Sequence, residues 1–311
     1  MSQSVYNVVI HTNAGIYDPP ELETNPSVKS KIVIVPNLWI EKLNTSEAHK
    51  IMDACEPKGF NYSCKRQYTQ MYSIVRRVSD DQEWDSDEVL QTVIALSRII
   101  HPTTISYEYS AIVTRNSEEE IIRVVPGPVS GSGSEVFVAD DTRNWLTEIE
   151  INELKNLFTA YQSNSLLRPV STCLWYYEYC SWQKYIDIRW TLVSTALESI
   201  VHTGRHHSTR QFTVRIPKLA EAVGMIIQEK EAEQFYDLRS SLVHSGLGDL
   251  SIDNQRLYCL MEELLRRVIK YSIINPKFSA FLADCNQIQN AWPLQSAIRE
   301  SNNQWLHFEK Q

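Results

Sequence analysis

Several residue types and patterns that mark whole classes of protein are scarce or missing in this sequence. Six cysteines among 311 residues are too few for a disulfide scaffold, and no two of them form a Cys-x-x-Cys pair. No apolar run approaches the roughly 18 to 20 residues that cross a bilayer. The first ten residues, MSQSVYNVVI, contain no basic segment followed by an apolar stretch. We therefore expect no secretory signal, no membrane association and a cytoplasmic protein with reduced thiols.

Signatures of nucleotide binding and hydrolase chemistry are also absent from the first half of the chain. It contains no Walker loop, no Gly-x-Gly-x-x-Gly, no nucleophile elbow and no His-Glu-x-x-His. In the second half, the adjacent His206 and His207 have only His202 as a further histidine nearby, which does not supply the ligand spacing of a zinc site. We predict no metal and no cofactor, with a metal site at these histidines as the weaker alternative.

The net charge of −8 is carried almost entirely by the first part of the chain. Residues 1–143 contain 13 Lys and Arg against 20 Asp and Glu, whereas residues 144–311 contain 17 against 18. A general nucleic-acid binder is usually basic overall. If this protein binds RNA, the contact must be made by a local basic patch, with the acidic part facing away from it.

The first part of the chain has the patterning of a mixed α and β domain. Segments rich in β-branched and aromatic residues predict strands at residues 5–11, 31–40, 67–78, 104–114 and 121–125. Helices are predicted at residues 46–54 and 87–100. A Gly-, Ser- and Pro-rich stretch at 126–134 is either a domain linker or a hairpin loop that leads to one more strand at 135–139. We place the domain boundary between residues 143 and 144.

From residue 145 onwards, apolar residues recur at the period of an α-helix. Amphipathic helices are predicted at residues 145–161, 172–201, 212–223, 230–244 and 254–274. Their short connections indicate an up-and-down helical bundle. The expected architecture is therefore an α+β N-terminal domain, residues 1–143, followed by an all-α helical bundle, residues 144–311.

The helix predicted at 230–244 contains the most informative functional pattern. Arg239 is followed five positions later by His244, and Gly246 then favours the end of the helix. In an ideal helix, a five-residue step separates two side chains by about 140°, so we expect fraying at the glycine to bring the imidazole toward the arginine. The negative end of a helix also favours a protonated imidazole.

This pair of residues is suited to cutting RNA without a metal ion. Such cleavage needs a group that moves the proton of the 2′-hydroxyl and a cation that stabilises the charge on the phosphorane. His244 suits the first role and Arg239 the second, because a guanidinium can bind phosphate oxygens through two hydrogen bonds. One arginine and one histidine are too few for a complete acid–base pair. A two-fold homodimer with the active site at its interface would supply the other half.

The residues around this pair resemble a known family. The segment Tyr236-Asp-Leu-Arg-Ser-Ser-Leu-Val-His-Ser-Gly246 is similar to the Arg-to-His helix of HEPN domains, especially those of the ApeA-like branch. The upstream segments 190–200 and 212–223 resemble that branch too, so the likeness covers residues 170–275 and none of the first part. It implies an HEPN-like bundle that dimerises through its Arg-to-His segments. It also implies a metal-independent endoribonuclease used in phage defence, a toxin system or a stress response.

The resemblance assigns roles to individual residues. Arg239 and His244 correspond to catalytic residues, and Ser240 corresponds to the supporting polar residue that follows the arginine. Nucleolytic members often have Asn, Asp or His where this chain has Ser240, and Gly246 occupies the place of the tyrosine in the His-x-Tyr extension of one toxin subgroup. Independently of the family, the adjacency of the helices leads us to expect that Glu198 pairs with Arg239 and orients it.

A second group of candidate residues lies in the loop predicted before residue 212. Arg205, His206, His207 and Arg210 form the strongest local basic patch and are predicted to bind RNA. The aromatic run at 174–185 could stack bases. Its place inside an apolar-striped helix favours core or dimer packing instead.

Three hypotheses about function follow from these patterns. The first is a dimeric HEPN-type endoribonuclease whose N-terminal domain senses a trigger or recruits a regulatory protein. The second is a non-catalytic HEPN module that binds RNA or a protein partner. The third is a scaffold protein in which the Arg-to-His segment only ends a helix. Facing Arg239/His244 pairs in a dimer would favour the first hypothesis, and a monomer would favour the third.

Overall fold

The protein divides into two compact units. The structure, a computed structural model, describes residues 4–13, 31–42, 45–55, 71–78, 87–102, 105–127, 146–183, 185–204, 207–245 and 251–294. The units are Met1–Thr159 and Ala160–Gln311, so the division falls inside a helix, Glu148–Ser163. The boundary predicted between 143 and 144 lies outside the described residues and stays a prediction.

The first unit contains a six-stranded sheet among its described residues. Its strands are β1 (Ser4–Asn13), β2 (Lys31–Val35), β3 (Leu38–Lys42), β4 (Met71–Val78), β5 (Ile105–Arg115) and β6 (Ile121–Pro126). Their order is β2-β3-β4-β1-β5-β6, and all neighbours are antiparallel. Each of the five predicted strand segments contributes to this sheet, whereas the strand suggested at 135–139 lies outside the described residues.

Two helices pack against the sheet. Helix α1 (Thr45–Cys55) packs on β5 and β6, and helix α2 (Asp87–Ile100) packs on β1 and β4. Their inner faces are apolar and fully buried, for example at Ile51 on α1 and Leu90 on α2. On the polar side, Arg115 Nη1 donates to Glu47 Oε1 of α1 at 2.8 Å. The predicted mixture of α and β structure is therefore present in the first unit.

One strand prediction is wrong. Residues 31–40 form two strands, β2 and β3, which pair with each other so that Val35 lies opposite Leu38. Pro36 and Asn37 make the turn between them. Pro36 has no N–H to donate to a sheet, and Asn37 has a φ of 68°, in the left-handed region that asparagine tolerates better than most residues.

All the regular secondary structure described in the second unit is helical. After α3 (Glu148–Ser163) come α4 (Val170–Ser181), α5 (Ile186–Ile200), α6 (Ser208–Ala222), α7 (Glu229–Ser245), α8 (Ile252–Ile274), α9 (Pro276–Ala283) and α10 (Cys285–Ala291). Helix α4 packs on α5 and α8, α5 on α7 and α8, and α6 on α7. The predicted helical bundle is confirmed. No helix in the described ranges is both long and apolar enough to cross a membrane.

Four aromatic rings form the centre of this bundle. Trp190 of α5 stacks on Phe235 of α7 with ring centroids 4.7 Å apart, and its Nε1 donates to the Phe235 carbonyl at 3.2 Å. Tyr258 of α8 lies 5.7 Å from the Trp190 ring, and Phe212 of α6 lies 6.2 Å from the Phe235 ring. Because all four side chains are almost completely buried, these contacts fix how α5, α6, α7 and α8 face one another.

The single helix predicted at 172–201 is also wrong, since α4 and α5 are separate helices. The chain leaves the helical conformation after Ser181 and re-enters it at Ile186. Arg189, which is only 4% exposed, donates from its Nε to the carbonyl of Gln183 at 2.6 Å. This bond satisfies a carbonyl that has left the helix, so a buried arginine stabilises a break that contains neither glycine nor proline.

Replacing Phe235 with alanine should lower the free energy of unfolding by about 3–5 kcal/mol, because it leaves a cavity in the centre of the aromatic cluster. Urea denaturation followed by circular dichroism and tryptophan fluorescence measures the loss. The matched control is Ile226→Ala, at a side chain that is 90% exposed. The control should change the unfolding free energy by less than about 0.5 kcal/mol. Equal effects of the two substitutions would contradict the packing described here.

Cys173 and Cys180 should resist alkylation in the folded protein. Burial raises the pKa of each thiol to about 12, and the nucleophile is the thiolate. At pH 8, iodoacetamide should label the half-buried Cys259 much faster than either, as mass spectrometry of digested protein would show. Because their folded-state pKa lies above the ordinary value, both thiols contribute fully to stability below pH 9 and lose that contribution as the pH rises toward 12. Rapid labelling of Cys173 at pH 8 would contradict the burial of its thiol.

Candidate functional site

Arg239 lies on α7 beside a carboxylate of α5. Its Nη2 is 3.5 Å from Glu198 Oε2, and the two side chains are 27% and 16% exposed, respectively. Arg239 follows Phe235 by one helical turn, so the stacking of Phe235 on Trp190 brings α5 and α7 together at this level. The contact between Arg239 and Glu198 that the sequence led us to expect is therefore present, while the functional roles of both residues stay predictions.

The guanidinium of Arg239 retains donor capacity. Its contact with Glu198, at 3.5 Å, is at the outer limit of a hydrogen bond. Its Nε is buried and has no hydrogen-bond partner in the part of the chain that the structure describes. An arginine has five N–H donors and does not lose its proton in proteins. A group with two or more acceptor oxygens, such as a carboxylate or a phosphate, could satisfy it better than Glu198 does here.

Tyr236 completes this cluster, although the sequence did not single it out. Its hydroxyl donates to Ser208 Oγ at 3.1 Å, and its ring lies 5.7 Å from Cζ of Arg239, within the range of a cation–π contact. Burial raises the pKa of Tyr236; Ser208 acts against the rise and the carboxylate of Glu198 adds to it. The hydroxyl therefore stays protonated at neutral pH. Its position three residues before Arg239, a helical neighbour, is the sequence signal that could have identified it.

Within the basic segment 205–210, Ser208 contacts this cluster at the start of α6. Arg205 and His206 lie outside the described residues. His207 is exposed and precedes α6, whose first residue, Ser208, contacts Tyr236. Arg210 is also exposed, with Nη1 3.6 Å from Glu229 Oε2, and an ion pair this open to solvent holds its partner weakly. His207 and Arg210 are therefore close in sequence to Ser208, which contacts Tyr236 of the Arg239 cluster.

Helix α7 includes Ser240 and His244. Ser240 is half-buried, one position after Arg239. The helix continues to Ser245, so His244 belongs to its last turn as predicted, about 140° around the axis from Arg239 in ideal geometry. The side chain of His244 and the residues 246–250 lie outside the described part of the chain. Whether the imidazole approaches Arg239 stays a prediction.

Two alternatives from the sequence can be compared with the structure. His202 Nε2 lies 2.7 Å from the Leu282 carbonyl, so this ring nitrogen already has a partner. In the aromatic run, Tyr177 is buried, whereas Trp175 is 59% exposed and stacks on Tyr179 with centroids 5.4 Å apart. One face of the run, with Tyr177, therefore packs in the core as predicted. The other face, with Trp175 and Tyr179, lies at the surface, where base stacking or dimer packing stays a prediction.

A double-mutant cycle should detect coupling between Glu198 and Arg239. Removing Glu198 leaves a half-buried cation, so Glu198→Ala should be destabilising, and Arg239→Ala should restore part of the loss. We expect a coupling free energy of about 0.5–2 kcal/mol from urea denaturation of the two single variants and the double variant. The exposed pair Arg267 and Glu263 on α8 serves as a control, expected at about 0.5 kcal/mol or less. Strictly additive effects at Glu198 and Arg239 would contradict the pairing.

Comparisons with known proteins give no further indication of the function of this chain. No protein family, no curated protein and no solved structure matches this chain. The features available for a proposal about function are therefore the chain's own residues: the Arg239–Glu198–Tyr236 cluster, the basic segment that leads into α6, and the Arg-to-His pattern on α7.

Proposed function

We propose that this chain is a metal-independent endoribonuclease of the HEPN type that acts as a homodimer in phage defence, a toxin system or a stress response. The observation that carries the proposal is the state of Arg239. Among the described residues, its Nε is buried without a hydrogen-bond partner and its Nη2 makes one long contact, to Glu198. The ring of Tyr236 lies beside the guanidinium, and the Tyr236 hydroxyl donates to Ser208 at the start of α6. A phosphodiester offers the oxygens that such a guanidinium needs.

In the proposed reaction, His244 accepts the proton of the RNA 2′-hydroxyl. The 2′-oxygen then attacks phosphorus, and the bond from phosphorus to the 5′-oxygen breaks. Arg239 stabilises the charge on the phosphorane oxygens. A second imidazole returns a proton to the departing 5′-oxygen, which gives a 2′,3′-cyclic phosphate and a 5′-hydroxyl. In a two-fold dimer this second group is the partner's His244.

The distribution of charge agrees with a local RNA contact. The net charge of −8 resides largely in residues 1–143, so RNA would be attracted only where cations are concentrated. Cations are concentrated in the sequence just before α6 and in its first turn, at Arg205, His206, His207 and Arg210. The positive end of the α6 dipole adds to this positive charge. In this proposal the first unit senses a trigger or recruits a regulatory protein.

One observation favours a second candidate, a non-catalytic HEPN module that binds RNA or a protein partner. Ser240 follows Arg239 on α7, where the nucleolytic members that the segment resembles often have a stronger polar group. A module of this kind would still need Arg239 for binding. It would not need His244 as a proton acceptor.

The proposal predicts RNA cleavage that EDTA does not inhibit and that Arg239→Ala and His244→Ala each reduce at least about 100-fold. Purified full-length protein is incubated with total RNA and defined oligonucleotides, and mass spectrometry identifies the new termini. The matched controls are His49→Ala on α1 and Arg256→Ala on α8, two exposed residues. The controls should retain activity.

The outcomes separate the candidates. Cleavage with 2′,3′-cyclic phosphate ends that depends on both residues supports the nuclease. RNA binding that depends on Arg239, without products in any condition, supports the non-catalytic module. Cleavage that persists in His244→Ala, or a protein that neither binds nor cuts RNA, would overturn the proposal.

A further inference from the structure

The last turn of α5, which carries Glu198, is followed by a backbone conformation that histidine adopts only at a cost. Helix α5 ends at Ile200, and His202 then has a φ of 51°, in the left-handed region where glycine is usual. The Thr203 N–H donates to the carbonyl of Glu198 at 3.2 Å. A left-handed residue followed by such a six-residue bond is a Schellman end of a helix. The turn after α5 is therefore bonded directly to the backbone of Glu198.

Arg215, on the following helix α6, holds this end of α5. Its Nη1 donates to the carbonyl of Val201 at 2.7 Å and to that of His202 at 3.0 Å. The last carbonyls of a helix have no partner inside the helix, and the negative end of the helix dipole favours a cation beside them. One buried arginine, 3% exposed, therefore satisfies two successive carbonyls at the left-handed turn.

Two further contacts hold the segment around this turn. Gln211 Oε1, on α6, accepts from the Gly204 N–H at 2.6 Å, and His202 Nε2 lies 2.7 Å from the carbonyl of Leu282. A left-handed residue other than glycine persists where the surrounding contacts determine its conformation. Because Arg215 and Gln211 both belong to α6, these contacts fix the end of α5 to that helix.

We propose that Arg215 is a positioning residue of the candidate site. By holding the end of α5 to α6, it fixes Glu198 and its partner Arg239 relative to the exposed His207 and Arg210 at the start of α6. The use of this geometry for binding RNA phosphates rests on the proposed function. The geometry itself does not, because it is produced by hydrogen bonds between described residues.

An arginine is a costly means of ending a helix. Removing a guanidinium from water is unfavourable unless its donors are hydrogen-bonded, and the Nε of Arg215 is buried without a hydrogen-bond partner among the described residues. A glycine in place of His202 would adopt the left-handed turn without strain. A buried charge kept at such a cost is better explained by the geometry that it specifies than by the stability that it adds.

The position of Arg215 affects both groups of residues that are proposed to contact RNA. Glu198 lies in the last turn of α5, and its carboxylate is 3.5 Å from Arg239 Nη2. Arg210 precedes Arg215 by five residues on α6. If the end of α5 is released from α6, Glu198 shifts and Arg239 loses the carboxylate that orients it. Because Arg215 is buried, it acts through these residues and does not itself contact RNA.

The first test uses no RNA. The coupling between Glu198 and Arg239 is measured by a double-mutant cycle in the wild-type chain and in two further backgrounds, Arg215→Met and Arg189→Met. Arg189 is the matched control, because it is an equally buried arginine that also donates to a backbone carbonyl, before the start of α5. The coupling, as a ratio of folding equilibrium constants, should fall at least about threefold in Arg215→Met and stay unchanged in Arg189→Met. Equal coupling in all three backgrounds would overturn the proposal.

Two milder variants accompany this cycle. Arg215→Lys retains the charge and three donors, so it should restore at least half of the coupling that Arg215→Met loses. Gln211→Met removes only the acceptor of the Gly204 N–H and should lower the coupling in the same direction by a smaller factor. It decides the question if Arg215→Met does not fold. Full coupling in Gln211→Met would then contradict the proposal.

The second test measures how many phosphates the protein contacts at once. Binding of a fully 2′-O-methylated oligonucleotide, which cannot be cut, is followed by fluorescence anisotropy between about 50 and 200 mM salt. Losing one phosphate contact on a single strand should weaken binding at about 50 mM salt roughly five- to tenfold and lower the slope of log K against log salt by about 0.7. We expect both changes in Arg215→Met and neither in Arg189→Met. A mere loss of stability would not change the slope.

The outcomes distinguish this proposal from the proposed function. A wild type that binds no RNA refutes the proposed function, whereas a loss of coupling in Arg215→Met still supports the positioning of Arg239. Binding by Arg215→Met with the affinity and salt slope of the wild type would overturn the role of Arg215 toward RNA. Equal effects of Arg215→Met and Arg189→Met would also overturn it, because they would show only a general loss of stability.

Discussion

The stacking of Trp190 on Phe235 determines where the candidate site lies. Two contacts join the same residues: the rings face each other at 4.7 Å, and the indole N–H donates to the Phe235 carbonyl at 3.2 Å. The ring contact fixes the rotation of α5 and α7, and the hydrogen bond fixes their relative translation. Glu198 then follows Trp190 by about two turns, and Arg239 follows Phe235 by about one turn. Glu198 and Arg239 therefore come into contact because Trp190 packs on Phe235 and aligns α5 with α7.

The resulting ion pair is weak in a way that suits a binding site. A guanidinium committed to stability would make two short parallel bonds to its carboxylate, whereas Arg239 makes one contact at 3.5 Å and leaves its Nε without a partner among the described residues. Arg115 in the first unit shows the contrast, because it contacts Glu47 at 2.8 Å and also donates to the Glu119 carbonyl at 2.7 Å. Among the described residues, the guanidinium of Arg115 therefore has short hydrogen bonds that the guanidinium of Arg239 lacks.

Sequence patterns predicted elements well where local periodicity decides the structure, and failed where distant contacts decide it. Helix α2 has the predicted bounds because its apolar stripe is continuous. The turn at Pro36 and Asn37 was missed because a two-residue turn preserves the alternation of apolar residues across both strands. The break between α4 and α5 depends on the buried bond from Arg189 to Gln183, which no periodicity shows.

The candidate site divides in the same way. The pairing of Glu198 with Arg239 could be expected from adjacent helices. Tyr236 could not be given a role, because its hydroxyl meets Ser208 only when α6 folds beside α7. A tyrosine on an apolar stripe predicts core packing, and Tyr236 is indeed 93% buried. The hydrogen bond of its hydroxyl, by contrast, cannot be predicted from a pattern of hydrophobic residues.

The charge of the chain bears on how an RNA substrate would be chosen. With a net charge of −8, general attraction to RNA would be weak, and the proposed binding would depend on the few cations near α6 and α7. Few phosphate contacts give low affinity for an arbitrary strand. A two-fold dimer doubles the number of these cations and so favours RNA that reaches both copies at once. Under the proposed function, selection of the substrate would then require either an RNA whose shape spans both sites or delivery of the RNA by the first unit, since a guanidinium and imidazoles alone would contact only phosphate.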